Sequence, residues 1–187
     1  MQPDNEFLPQ QGDYRNLIAF RKAECIYDVT CYFVDKFLSP TDRTIDQMTQ
    51  AARSGKQNIA EGSVAGATSK ESEIKLTNVA RASLHELLLD YEDYLRVRNL
   101  ELWGKADDRT IRTRHVCAKH NDSRFYMDII GERSDATIAN IAIVLLHQTD
   151  VLLAHLIERQ KADFLQRGGI REQMTRARIE YRKKYRG

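Results

Sequence analysis

Three prolines and nine glycines in 187 residues leave room for long uninterrupted helices, and 30% charged with 42% hydrophobic residues suits a chain that buries a sizeable core. That balance, with a mean hydropathy of −0.56, reads as a soluble helix-rich protein without the apolar runs of a membrane span or a low-complexity tract. The formal net charge is only +2 but uneven: residues 171–187 carry seven Lys or Arg against two Glu, a local +5 that leaves the first 170 residues at −3.

Residues 1–13 are polar and hold Pro3, Pro9 and Gly12, so they suit neither a signal peptide nor a helix; disorder and a cytoplasmic location are expected. The first helix is predicted over 14–38, with Leu17, Phe20, Tyr27, Cys31, Val34 and Leu38 on one seam and Ala19, Ala23, Ile26, Phe33 and Phe37 widening it. Glu24 falls on that seam, where a carboxylate needs a basic partner or a wet end. Cys25, Cys31 and Cys117 make an odd count without paired spacing and read as buried reduced thiols. Ser39-Pro40 ends the helix, because the residue before proline disfavours the helical region, and Thr41 or Asp42 caps the next.

In the second helix Ile45, Met48, Ala52, Gly55, Ile59 and Gly62 recur at alternating steps of three and four, one stripe whose lower half is nearly bare of side chain. Two interior glycines cost roughly 1 kcal/mol each against alanine, so close packing of another helix must compensate. Asn58 flanks the stripe and its amide is expected to find a partner on a neighbouring helix, while Glu61 points away. The helix should stop within 62–66. Thr68 with Glu71 three residues on forms a capping box for a third helix over 70–98, with Thr77, Ala80, Leu84, Leu87, Tyr91 and Tyr94 as its seam. Short connections imply antiparallel neighbours.

Between 99 and 133 the pattern weakens: Trp103-Gly104 reads as an anchor and stop, and 107–119 and 122–130 as short helices at one end of a bundle. A fourth long helix over 134–166 turns Ile138, Ile141, Leu145, Leu152 and Leu156 inward, with Ala142, Leu146, Thr149 and Leu153 beside them. Gly168-Gly169 stops it, and a charged helical tail follows, containing Met174, Ile179, Tyr181 and Tyr185. The expectation is an all-α, antiparallel up-down four-helix bundle over 14–167 with a helical insert (99–133) between its third and fourth helices and a basic helical tail over 168–187.

Gln57-Asn58-Ile59-Ala60-Glu61-Gly62, then Ser69-Lys70-Glu71, then Ala80-Arg81-Ala82-Ser83-Leu84-His85-Glu86-Leu87 resemble the family called four helix bundle proteins. That family includes the proteins encoded in ribosomal RNA intervening sequences, once labelled S23 ribosomal proteins. More distantly the chain is similar to the accessory variability proteins of diversity-generating retroelements. Residues 164–172 and the Arg-rich stretch after them resemble the version of the family with a four helix bundle suffix region. The resemblance implies an antiparallel four-helix bundle assembling with copies of itself, as relatives form pentameric barrels. It implies no established chemistry, and for the retroelement relatives binding to nucleic acid and a reverse transcriptase. It gives Asn58, Glu61 and Gly62 a structural role.

The leading functional expectation is a non-enzymatic accessory or scaffold protein that binds nucleic acid, RNA before DNA. Arg53 and Lys56 on the second helix and Arg171, Arg176, Arg178, Arg182, Lys183, Lys184 and Arg186 in the tail can neutralise phosphates; Tyr181 and Tyr185 can stack on unpaired bases. A protein-binding adaptor with the same fold is the alternative. A helical ribonuclease of the HEPN type is a third reading, since Arg109 with His115 and Arg114 with His120 meet its Arg–His spacing, though in an Arg-rich segment. No catalytic residue, metal or cofactor is expected. His115-x-Cys117-x-x-His120 lacks a fourth ligand, and neither His85, His147 nor His155 has a Glu three residues before it.

Overall fold

The computed structural model describes residues 12–185 and is all-α, with no strand among the described residues. The expected disordered N-terminus therefore lies outside the described residues, except Gly12 and Asp13. Asp13 caps a single 3-10 turn, Tyr14–Asn16, and the first helix begins after it, later than its apolar residues suggest. The helices are α1 (Ile18–Phe37), α2 (Thr44–Ala65), α3 (Lys70–Val97), α4 (Asp108–Lys119), α5 (Ser123–Ile130), α6 (Asp135–Arg167) and α7 (Ile170–Tyr185). α2 packs against α1 and α3, and α6 against α3 and α1; buried residues of these helices, with Cys117 of α4 and Tyr126 and Ile130 of α5, share one core.

The small-residue stripe of α2 does what its composition requires. Met48, Ala52, Gly55, Ile59 and Gly62 are buried. A Cβ on Gly55 would stand 2.6 Å from Leu84 Cγ, and one on Gly62 would stand 3.3 Å from the Glu73 carbonyl oxygen. α3 therefore approaches α2 at a distance that larger side chains forbid, which offsets the propensity lost at the glycines. Contacts between α2 and α3 run in reversed order, Gly55 to Leu84 and Gly62 to Thr77. Those between α3 and α6 do likewise: Lys70 to Asp163 (3.7 Å), Thr77 to Gln160 (3.1 Å), Arg81 to Asp150 (2.6 Å) and Tyr94 to Asp135 (2.8 Å).

Three local expectations change. The buried face of α1 is centred to one side of the expected seam: Val34 and Leu38 of that seam and Ala19, Ala23, Ile26 and Phe33 beside it are buried, together with Val29 and Thr30, but Leu17, Phe20, Tyr27 and Cys31 sit half-buried on the flank, and Glu24 is exposed. The buried charge of α1 is Lys22 instead. Asn58 finds its partner within its own helix, donating from Nδ2 to the Ser54 carbonyl (2.9 Å) and Ser54 Oγ (3.2 Å); Ser54 Oγ then meets Ser83 Oγ of α3 at 3.0 Å. The amide thus reaches the neighbouring helix through a serine. The third helix is capped by Ser69, whose hydroxyl accepts from the Ser72 N–H at 3.1 Å, one residue beyond the predicted Thr68 box. Glu61 is exposed, as its helical phase requires.

The insert lies along the bundle instead of at its end. α5 packs on α1 and α4 on α6. Lys22 Nζ donates to the Cys117 carbonyl and, at 2.8 Å, to that of His120; Ser123 donates to Asp28, and Lys36 Nζ reaches the Gly131 carbonyl at 2.7 Å. Contacts from Lys22 to Lys36 span roughly 20 Å at 1.5 Å per residue. This side placement explains α6, where every residue of 138–146 is buried: α1 and α3 cover one side and α4 another. By length and composition the helical run Asp135–Tyr185 passes as a bilayer span, with an 18-residue window of hydropathy 1.5 that the composition-level reading overlooks. In the fold 61% of that window is buried.

Candidate nucleic-acid interface

α7 is the only helix of the described residues longer than one turn that buries none of its residues. Its sequence explains why. Ile170, Met174, Ala177, Tyr181 and Tyr185 follow steps of four, three, four and four, one narrow stripe, and the other faces are polar apart from the exposed Ile179 on the opposite side. At about 100° per residue, Arg171, Arg178 and Arg182 line one edge of the stripe and Lys184 the other. Arg171, Arg176, Arg178, Arg182, Lys183 and Lys184 are all exposed, and none enters an ion pair among the described residues. The Tyr181 and Tyr185 rings lie 4.7 Å apart, with Lys184 Nζ 5.5 Å from the Tyr185 centroid. Arg186 lies outside the described residues.

The link to α6 is local. Gly168 adopts φ 73°, the left-handed turn that glycine tolerates, and its N–H donates to the Phe164 carbonyl at 2.8 Å. The Gly169 N–H donates to Glu172 Oε2 at 2.9 Å, starting the next helix.

The α2 pair is placed differently. Arg53 is exposed, whereas Lys56 is half-buried with its Nζ 4.2 Å over the Tyr27 ring of α1. Lys56 is therefore partly committed to the α1–α2 contact. No hydrogen bond or ion pair among the described residues joins this pair to the tail.

Helical geometry separates the Arg–His pairs of the insert. Six residues turn a helix by about 600°, so Arg109 and His115 leave α4 some 120° apart. Arg109 is gripped by Glu101 (2.6 Å) and Asp107 (2.6 Å), which raise its affinity for its proton, Asp107 before Glu101, and it lies 5.2 Å over Trp103. Those hydrogen bonds hold both carboxyls below their usual range. His115 is exposed and Cys117 of the same helix is buried, while His120, at the end of α4, stacks on Phe125 at 3.6 Å. Among the described residues no three His, Cys, Asp or Glu side chains form a metal-sized group.

Two buried polar residues that sequence reasoning passed over hold the insert in place. Lys22 is 2% exposed; burial lowers its pKa, countered by the nearby Cys117 and Cys25 thiols. The same burial pushes Cys25 up to about 12. Its signal was a lysine one place from Ala23, inside the true seam. Asn140 is 1% exposed: Nδ2 donates to the carbonyls of Glu101 (2.9 Å) and Ala136 (2.8 Å), and Oδ1 accepts from the Trp103 N–H (2.8 Å). Its signal was a lone amide in an apolar run.

Two concavities lie on the surface of the described residues. One, about 310 Å³, lies among α4, α5, α6 and the loop before α4; its wall includes Trp103, Arg109, Arg112 and Arg133. The other, about 220 Å³, lies where α2 ends, lined by Ser63, Gly66, Lys70, Glu73 and Gln160 among others. Comparison with protein-family models, with curated proteins and with solved structures yields no match.

Proposed function

We propose that this chain is a non-enzymatic accessory or scaffold protein that binds nucleic acid, RNA in preference, through α7. The observation that carries the reading is that α7 buries nothing while holding unpaired cations along both edges of a tyrosine-bearing stripe. Cations there would neutralise phosphates, and the paired tyrosines offer faces to unpaired bases, a combination suited to single strands. The reading includes an antiparallel up-down arrangement of α1, α2, α3 and α6, supported by the reversed contacts of α3 with α2 and α6. It also includes self-assembly, in which several weak basic limbs on one particle act together. Arg53, and Lys56 in part, add positive charge on a separate face.

The stripe of Ile170, Met174, Tyr181 and Tyr185 favours a second reading, a protein-binding adaptor, because an exposed apolar stripe on a helix fits a groove.

Filter binding of a labelled single-stranded RNA to the intact protein, across a salt series, separates them. Under the RNA reading, Arg178→Glu with Arg182→Glu, Lys183→Glu and Lys184→Glu lowers retention at least roughly tenfold. It also flattens the salt dependence, by about 0.7 in slope for each phosphate that is no longer neutralised. Retention equal to the parent at every salt would remove α7 from the RNA reading, and no retention by the parent itself would leave the adaptor.

A further inference from the structure

We infer that the cavity among α4, α5, α6 and the preceding loop is a binding site for a small amphipathic anion, an acid group carried on an apolar body. Its volume of about 310 Å³ lies at the small end of ligand sites. The wall changes character with depth. Cys117, Tyr126 and Ile141 are buried and form the floor; Trp103 and Ile129 are half-buried along the sides; Arg112 and Arg133 stand exposed at the mouth. No carboxylate lines it.

The guanidiniums are not equivalent. Arg109 is neutralised by Glu101 and Asp107 and serves to hold Trp103 in place. Arg112 and Arg133 enter no ion pair among the described residues. Arg133 Nε donates to the Ile129 carbonyl at 2.9 Å, which orients the side chain and leaves its terminal nitrogens available. Two fork-shaped donors outside any ion pair therefore stand over an apolar floor, with Asp107 the carboxylate that Arg112 acts on from a distance.

That division selects the ligand. A neutral hydrocarbon would leave both guanidiniums unused, and an inorganic anion would leave the floor empty. A nucleotide base fits poorly, since the Tyr126 hydroxyl is committed to the His120 carbonyl (2.9 Å) and Thr113 is the wall's one other hydroxyl. An acid that enters apolar end first, with its carboxylate or phosphate left at the mouth, uses every part of the wall.

Trp103 is the chain's single tryptophan, so its fluorescence reports on the cavity directly. The intact protein is titrated with 4-phenylbutyrate, phenyl phosphate, the neutral 4-phenylbutanamide and AMP. A saturable change with one of the two acids is expected, with the amide at least roughly tenfold weaker. The stronger acid shows whether carboxylates or phosphomonoesters are the class. Arg112→Gln with Arg133→Gln, both exposed and so without burden on the core, should weaken the acid at least roughly tenfold at unchanged circular dichroism. Val116→Phe, which narrows the mouth and keeps both charges, should weaken it as well. Reversing the α7 charges should leave the titration unchanged. No saturation with either acid, equal affinity for the amide, tighter binding of AMP, or full affinity in the double arginine variant would each overturn the assignment.

Discussion

α6 and α7 follow each other across two glycines, yet they are used in opposite ways. Every residue of 138–146 in α6 is buried, and no residue of α7 is. The difference begins in sequence. Ile138-Ala139-Asn140-Ile141-Ala142-Ile143-Val144-Leu145-Leu146 offers apolar surface on all sides, so it needs cover from three elements and obtains it from α1, α3 and α4. α7 offers one narrow stripe bordered by cations, too little to hold a helix onto the bundle. Cohesion and availability are thus assigned to adjacent helices, and a substitution should affect one property without the other.

The largest effect belongs to the covered end. Leu145 is fully buried, and Leu145→Ala should lower unfolding free energy by about 3 kcal/mol in urea denaturation, within the range that leucine truncations in cores show. A loss below about 1 kcal/mol would mean that this part of α6 is not enclosed on all sides. Asn140→Ala removes both partners of the 101–103 loop and leaves the Trp103 N–H and Glu101 carbonyl unmatched, for about 2 kcal/mol. The same variant should red-shift Trp103 emission as the loop loosens. An unshifted spectrum would show that the insert is held by α4 and α5 alone.

How much of this was legible follows from what periodicity can carry. α2 and α3 were read almost residue for residue, because two glycines and a long leucine–tyrosine seam fix both phase and partner. In α1 the residues set beside the expected seam, Ala19, Ala23, Ile26 and Phe33, prove to be its centre, since Phe20, Tyr27 and Cys31 are apolar enough to suggest a seam and lie on its flank. Lys22 looks like a surface residue until α4 supplies carbonyls for it, and that depends on a segment some 95 residues away. The insert's two short helices are visible as segments between polar breaks, but their side-on packing is not. Only the unbroken burial of 138–146 requires it. Among the candidate contacts, exposure of the tail cations was legible from their density, whereas the seating of Lys56 over Tyr27 required the α1–α2 contact. The mouth formed by Arg112 and Arg133 joins residues on either side of α5 and leaves no mark in any one helix.

The smallest expected effect on stability tests the other end. Ending the chain at Gly169 removes α7, which contributes no buried side chain. Its described hydrogen bonds back across the break are local: Gly169 N–H to Glu172, Gln173 Nε2 to the Gly168 carbonyl (3.1 Å), and the Glu172 and Gln173 N–H groups to the Gly169 carbonyl (3.1 Å each). The cap of α6 survives, because the Gly168 N–H still meets the Phe164 carbonyl. Unfolding free energy should therefore move by less than about 0.5 kcal/mol, as for surface changes in general. Single-stranded RNA retention should fall with the departing +5 of residues 171–187. A stability loss above about 1 kcal/mol would show that α7 is held against the bundle or a second copy in solution. Its cations would then belong to an interface within the particle, and the contrast with α6 would be one of partners instead of one of exposure.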